Sequence, residues 1–191
     1  RAQCNLGWCY ENGRGVQQCH ERAVALFRKA SDQENLAAMF NLANCYENGR
    51  GVEKNRKQAV NFYRKAAVKG HAGSQHCLGH CYEMGQGVAQ SYSAAVKWYR
   101  RAAEQGFAIS QACLAWCLGH GKGVASDWGA AVAWYQKAAK QQNPMGICNL
   151  GWCYEKGKGV EQSWERAVTL YREAAELGDQ VAQCNLGWCL S

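Results

Sequence analysis

The segment from His76 to Cys81 carries the side chains best suited to binding a metal ion. His76 and His80 are four residues apart, so both imidazoles face one side of a helix, and such pairs can share a zinc ion. Cys81, however, belongs to a cysteine position that recurs along the chain and turns inward, and no third ligand lies at a recognised spacing. His120 could approach only if the fold brought the next repeat close. We therefore predict no metal site and no cofactor.

Acidic side chains offer a second kind of chemistry, because paired carboxylates can transfer protons. A glutamate recurs at Glu11, Glu47, Glu83 and Glu155. A copy in nearly every repeat indicates a scaffold position rather than a unique catalytic site. The chain also has no Ser-x-x-Lys and no Gly-x-Ser-x-Gly motif. We expect a protein that is not an enzyme.

These residues sit in a sequence that repeats every 36 residues without insertion or deletion. The leucine position shows the period at Leu6, Leu42, Leu78, Leu114, Leu150 and Leu186. The units are 1–36, 37–72, 73–108, 109–144 and 145–180, with a partial unit 181–191, and we expect them to form a single repeat array. A period of this length with two helical patterns per unit is typical of stacked helical repeats. It predicts an all-α fold, a right-handed α-α superhelix (solenoid) of helix-turn-helix repeats.

The unit beginning near Leu36 shows both helical patterns. Ala38, Leu42, Cys45 and Tyr46 share one side of the first helix, and Ala59, Tyr63 and Ala66 share one side of the second. Gly49 and Gly51 lie between the helices and recur in the other full repeats, which predicts positive φ angles and close backbone approach. The second helix opens with a residue able to cap it in four of five repeats: Asn55, Ser91, Asp127 and Ser163, with Cys19 as the exception.

The net charge of +7 comes from 22 lysines and arginines against 15 aspartates and glutamates. Much of the positive charge recurs on the second helices, for example at Arg28, Lys29, Arg64 and Lys65. A basic stripe could bind nucleic acid or a membrane surface, but no nucleic-acid-binding motif accompanies it. We interpret it as a solvated outer face and predict no nucleic-acid partner. No apolar run reaches the length of about 18 residues that a spanning helix needs, so we expect no membrane insertion.

The run from Asn5 to Val16, followed by Ala23, Phe27, Lys29 and Ala30, resembles a Sel1-like repeat, a relative of the tetratricopeptide repeat. The resemblance covers the whole chain. It implies an adaptor, because proteins of this kind are mostly scaffolds of ubiquitin-ligase complexes, activators of cell-wall synthesis, or bacterial proteins that engage host or signalling partners.

Twelve cysteines could indicate a disulfide framework. Partners within one helix, such as Cys77 and Cys81, point in parallel directions and cannot reach bridging geometry. A secreted, cysteine-rich bacterial branch of the family links its helices at other positions, and the resemblance maps these onto Ala67 with Gln75, Ala103 with Gln111 and Ala139 with Ile147, none of which is cysteine. We interpret the thiols as small buried hydrophobes. This favours a reducing compartment such as the cytoplasm, with the endoplasmic reticulum or secretion as alternatives.

The first helix of each repeat carries the best candidates for a partner-binding groove. With Leu6 and Tyr10 facing inward, positions 5, 8 and 12 of the repeat turn to the other flank, which lines the concave surface in tetratricopeptide arrays. Position 8 is Trp8, Asn44, His80, Trp116, Trp152 and Trp188. Exposed tryptophans indicate an interaction surface. The alternative is that these rings pack against the neighbouring repeat.

Position 5 is asparagine in four repeats: Asn5, Asn41, Asn149 and Asn185. An asparagine amide has a donor and an acceptor, so a row of them can pair with a peptide backbone without reading its sequence. Cys77 and Cys113 interrupt the row. The alternative is local hydrogen bonding to the adjacent helix. Near the interruption Gly119 replaces the recurring glutamate, and with Met84 and His120 it makes the middle of the array the least regular part.

The leading hypothesis is a scaffold or adaptor that binds a protein or extended peptide in this groove. The first alternative is a secreted cysteine-rich hydrolase acting on β-lactams or cell-wall compounds, which only the resemblance to the secreted branch suggests. The second is a structural module that spaces or oligomerises neighbouring domains. Apolar residues near the end of the sequence, Leu186 and Trp188, favour end-to-end self-association in that case.

Overall fold

The computed structural model describes residues 2–189, and in that range all regular secondary structure is α-helical. The chain divides into two compact units, residues 1–91 and 92–191. The first unit contains α1 (Ala2–Asn12), α2 (His20–Asp32), α3 (Leu36–Asn48), α4 (Arg56–Val68) and α5 (Ala72–Met84). The second contains α6 (Tyr92–Glu104), α7 (Ala108–His120), α8 (Trp128–Lys140), α9 (Pro144–Lys156), α10 (Trp164–Glu176) and α11 (Gln180–Cys189). The predicted all-α fold of paired helices at a 36-residue spacing is confirmed.

The core of each unit consists of one large ring per repeat surrounded by small residues. The rings lie on the second helices, at Phe27, Tyr63, Tyr99, Tyr135 and Tyr171, and all are at most 1% exposed. Leu42, Leu78 and Leu114 on the first helices are fully buried as predicted. Alanines beside the rings, such as Ala59 and Ala66, let the helices approach closely enough to bury each ring.

Leu6 departs from the predicted pattern, because it is 44% exposed rather than buried. The equivalent Leu42 lies on α3, which packs against both α2 and α4. Leu6 lies on α1, which has no earlier helix to cover it among the described residues. Tyr10 is half-buried.

Two tyrosines of the core are held by recurring glutamates. Tyr63 Oη donates to Glu47 Oε2 over 2.8 Å, and Tyr171 Oη donates to Glu155 Oε2 over 2.6 Å. A buried hydroxyl needs such a partner, since leaving it unpaired costs about 1–3 kcal/mol. The interpretation of this glutamate position as part of the scaffold agrees with this contact.

The two glycines between the helices of a repeat have different roles. Gly49 ends α3 in the left-handed conformation, with φ of 74°. Gly51 also has positive φ, of 68°, and a Cβ atom placed on it would overlap the backbone carbonyl of His20 at the start of α2. Gly87, Gly123 and Gly159 meet the first residue of the preceding second helix in the same way, at Arg56, Tyr92 and Trp128. The second glycine therefore sets the distance between successive repeats.

Side chains and proline define the other helix ends. Asn55, Asp127 and Ser163 each accept a hydrogen bond from the backbone N–H three residues later, as predicted, whereas Cys19 makes no such bond. Asn143 caps α9 in the same manner, and Pro144 occupies its first turn.

A buried glutamine links the second helix of one repeat to the first helix of the next. Gln75 Nε2 donates to the carbonyl of Ala67 over 3.0 Å, and Gln111 Nε2 donates to the carbonyl of Ala103 over 3.1 Å. These are two of the pairs onto which the sequence resemblance maps the disulfides of the cysteine-rich branch. In this chain a side-chain hydrogen bond joins the helices at these pairs.

We expect Gly51→Ala to destabilise the protein more than Gly15→Ala. The two glycines have nearly the same φ, 68° and 71°, but a Cβ atom on Gly15 meets no atom within 4 Å. Gly15→Ala should cost about 1 kcal/mol for the backbone conformation, and Gly51→Ala about 1–3 kcal/mol more because the backbones must separate. Thermal unfolding followed by circular dichroism measures both, and equal losses would contradict the spacing role.

We expect Gln75→Met to lower the free energy of unfolding by about 0.5–1.5 kcal/mol, since the variant keeps the side-chain length but removes a buried hydrogen bond. The Ala67 carbonyl then keeps only its bond from the backbone N–H of Gly70. Gln183→Met is the matched control: Gln183 makes the equivalent bond to Ala175 at 3.4 Å but is exposed to water. The control should change stability by about 0.5 kcal/mol or less. Denaturant titration of the two variants compares them, and an undiminished stability of Gln75→Met would reject the proposed link.

Candidate protein-binding surface

Two of the predicted tryptophans lie in a cluster of four aromatic side chains. The His120 ring is 4.9 Å from the Trp116 ring, 5.1 Å from the Trp128 ring and 6.3 Å from the Trp152 ring, measured between centroids. The Trp128 and Trp152 rings are 5.4 Å apart. The three indoles are half-buried and His120 is exposed. We call Trp116, His120, Trp128 and Trp152 the aromatic cluster.

The helices α7, α8 and α9 position this cluster. Trp116 and His120 are one turn apart on α7, and the carbonyl of Trp116 lies 3.0 Å from His120 Nδ1. Trp128 is the first residue of α8, and Trp152 lies on α9 at the position equivalent to Trp116. The indole of Trp152 therefore packs on side chains of the preceding repeat, as the alternative interpretation proposed, while part of each ring stays accessible.

Gly119 makes room for the cluster. A Cβ atom on Gly119 would lie 2.6 Å from the Trp128 ring, so any larger residue would displace the indole. The other full repeats have glutamate at this position, and in two of them it accepts a hydrogen bond from the core tyrosine. The fourth repeat thus has an indole where those repeats have a carboxylate.

Sequence reasoning missed Trp128 as a member of the site. The position holds His20, Arg56, Tyr92, Trp128 and Trp164, so no residue type recurs along the whole array and tryptophan occurs in only two repeats. The sequence signal that could have identified it is that Trp128 occurs in the same repeat as Gly119, where the other full repeats have glutamate.

The position-8 residues of residues 1–91 have more varied surroundings. Trp8 is 42% exposed, and the Arg14 guanidinium lies 4.9 Å from its ring centroid. Asn44 is half-buried, and its side-chain amide lies within hydrogen-bond distance of the Tyr63 hydroxyl. His80 is exposed.

The position-5 asparagines make local contacts. Asn149 Nδ2 donates to the carbonyl of Met145 over 2.7 Å, and Asn41 and Asn185 point Nδ2 at the sulfur atoms of Cys4 and Cys148, 4.0 Å away. Asn5 is exposed. Local hydrogen bonding, the alternative to peptide binding, thus uses part of the hydrogen-bonding capacity of the position-5 asparagines.

A cavity of about 350 Å³ lies one repeat after the aromatic cluster. Its lining is Glu155, Lys156, Trp164, Asn185, Trp188 and Cys189. Trp164 is 55% exposed and Trp188 is 85% exposed. Lys156 Nζ is 2.6 Å from Glu155 Oε1. Burial alone would raise the pKa of the Glu155 carboxyl, but hydrogen bonds from Lys156 and Tyr171 hold it below its usual value.

The twelve cysteines are free thiols. Burial raises the pKa of Cys45 to about 11 and of Cys153 to about 12. Such thiols stay protonated at neutral pH and pack as small apolar groups. Burial, with a smaller effect of His80, lowers the pKa of His76 to about 4. Within residues 2–189, no group of three or more histidine, cysteine or acidic side chains is arranged to hold a metal ion.

None of the described helices is long and apolar enough to cross a bilayer.

The Sel1 repeat family profile matches five consecutive segments, residues 1–35, 36–71, 72–107, 108–143 and 144–179. Sel1 repeat proteins are generally protein–protein interaction scaffolds and are typically not enzymes. A comparison with curated proteins gave no significant match.

Solved structures superimpose closely on the chain. A Sel1 repeat protein from Oxalobacter formigenes gives a TM-score of 0.92 at 36% identity, over 97% of this chain and 74% of that one. The protein c5321, a protective antigen present in uropathogenic Escherichia coli strains, gives 0.90 at 34% identity, over 98% of this chain and 40% of that one. Cysteine-rich protein B of Helicobacter pylori gives 0.54 at 25% identity, over 70% of this chain and 95% of that one. With five matching repeats and these similarities, the chain belongs to the Sel1 repeat family and has its solenoid fold.

Proposed function

We propose that this protein is an interaction scaffold that binds an extended peptide or a partner protein on the aromatic cluster. The observation that carries the proposal is the convergence of three half-exposed indoles and the exposed His120 on one surface. Tryptophans dominate the binding energy of protein interfaces, because a large rigid ring buries much apolar area at a small cost in entropy.

The surroundings of the cluster support this role. Each ring is held by its neighbours, so little side-chain freedom is lost when a partner covers it. Asn149 lies on the same helix as Trp152 and supplies an amide able to pair with a peptide backbone. The remaining predicted groove residues, Asn5, Trp8, Asn41, Asn44, His80, Asn185 and Trp188, stay predictions.

End-to-end self-association stays a prediction.

We expect the double variant Trp116→Ala, Trp152→Ala to lose peptide binding. The probe is a peptide selected from a random display library against the wild-type protein, and its affinity is measured by calorimetry. The double variant should bind it at least about tenfold more weakly, because each buried indole contributes more than about 1 kcal/mol.

The matched control is Trp98→Ala, Trp134→Ala, which removes two indoles that are also half-buried but lie beside Arg101 and Lys137 on the second helices. Circular dichroism checks that both variants stay helical. Equal affinities of the two double variants would reject the cluster as the site.

Gly119→Ala should disturb the cluster without removing any of its rings, because the new methyl group displaces Trp128. We expect a loss of near-ultraviolet circular dichroism from the coupled indoles and weaker binding of the selected peptide. Gly187→Ala is the control, since Gly187 is also helical and a Cβ atom there meets nothing within 4 Å. An unchanged near-ultraviolet spectrum of Gly119→Ala would contradict the geometry of the cluster.

A further inference from the structure

The aromatic cluster has an equivalent set of residues one period later. Adding 36 to Trp116, His120, Trp128 and Trp152 gives Trp152, Lys156, Trp164 and Trp188. All three tryptophan positions are retained, while the histidine becomes lysine. At the position before it, Gly119 becomes Glu155.

The two sets differ in what lies among their indoles. In the first set, the planar His120 ring lies 5.1 Å from Trp128 and 6.3 Å from Trp152. In the second set, Lys156 pairs with Glu155, and Trp164 and Trp188 line the cavity of about 350 Å³. In the first set, the Trp128 and Trp152 indoles thus accommodate a planar group, the His120 ring. We expect the equivalent pair, Trp164 and Trp188, to accommodate a planar group as well.

Glu155 gives the second site a carboxylate that the first site lacks, paired with the ammonium group of Lys156. Its side chain is 15% exposed and accepts hydrogen bonds from Tyr171 and Lys156 on different oxygens. Each carboxylate oxygen can accept a second bond, so the group has capacity for a further donor. A carboxylate beside indole faces is an arrangement that binds cations.

The net charge of residues 144–189 also favours the binding of a cation. Residues 144–189 contain six acidic and four basic side chains, although the whole chain has a net charge of +7. A cationic partner is therefore attracted to this repeat rather than to the others.

We propose that the cavity between Trp164 and Trp188 binds the guanidinium group of an arginine in the partner peptide, with Glu155 as its counter-ion. This assignment rests on the proposed function, because it names the chemistry of the peptide that the scaffold binds. A guanidinium is planar and weakly hydrated, stacks on indoles and pairs with carboxylates through two hydrogen bonds, whereas a lysine ammonium is a compact, strongly hydrated point charge.

Lys156 is the resident cation of the site and competes with the incoming one. Its side chain is 50% exposed, so it can turn to water when the guanidinium binds Glu155. Removing its charge should strengthen arginine binding. If the cavity instead bound an anion through Lys156, the same change would abolish binding, which separates the two assignments.

The test uses N-acetyl-L-arginine amide as the probe, the uncharged N-acetyl-L-citrulline amide as its isostere, and N-acetyl-L-glutamate amide as the anion. Binding is followed through the indole N–H signals of Trp164 and Trp188 in nuclear magnetic resonance spectra, assigned with Trp164→Phe and Trp188→Phe variants. We expect saturable shifts of both signals with the arginine probe and at least about fivefold weaker binding of citrulline, the factor that one exposed cation–π contact supplies.

The variants Glu155→Gln and Trp188→Ala should each weaken arginine binding about fivefold or more, and Lys156→Gln should tighten it. Glu155→Gln removes an acceptor of the core hydroxyl of Tyr171 and can weaken the fold. Trp188 and Lys156 are exposed, so we expect their variants to stay folded and to test the assignment in that case. Equal binding of arginine and citrulline, preference for the glutamate probe, or the absence of shifts at Trp164 and Trp188 would overturn the assignment.

The result is separable from the test of the proposed function. If the arginine probe fails while selected peptides still depend on Trp116 and Trp152, only the assignment of the cavity is wrong. If the selected peptides are also insensitive to those tryptophans, the proposed binding surface itself is wrong.

Discussion

The close approach of one glycine to the backbone of the preceding repeat is the constraint on which the rest of the structure depends. Gly51 and Gly87 in the first unit, and Gly123 and Gly159 in the second, each lie against the first residue of an earlier second helix. A backbone contact of this kind fixes the distance between repeats independently of the side chains around it. Residues 36 apart consequently occupy equivalent places within each unit, which is why position along the repeat predicts burial so well.

A fixed spacing lets single substitutions change the chemistry of a site without altering the fold. At Glu155 a carboxylate holds the core tyrosine of its own repeat. At Gly119 the loss of the side chain admits the Trp128 indole, and the surface becomes aromatic. The two outcomes lie one repeat apart on the same scaffold, so the array can place different binding chemistry in adjacent repeats.

The sequence predicts the features that repeat and fails at those that do not. The helices, the turn glycines and the buried leucines follow from residue types that recur every 36 positions. Trp128 could not be predicted as part of the site, because its position has a different residue type in each repeat except at Trp164. The contact of Asn44 with Tyr63 was also missed, since an asparagine facing a groove and one bonded to a core hydroxyl have the same sequence pattern. The exposure of Leu6 shows the converse limit: a repeated residue is buried only where a neighbouring helix covers it.

The distribution of charge explains how a basic chain can carry a site for a cation. Arginines and lysines on the outer helices lie against aromatic rings, as Arg101 does on Trp98 at 4.6 Å and Lys137 on Trp134 at 3.9 Å. Water screens these exposed charges, and their influence falls off over about 10 Å at moderate salt. Glu155, by contrast, is mostly shielded from water and lies on the cavity wall. Lys156 offsets its charge until that half-exposed side chain turns to water, and the carboxylate then acts at short range, where it outweighs the distant positive charges.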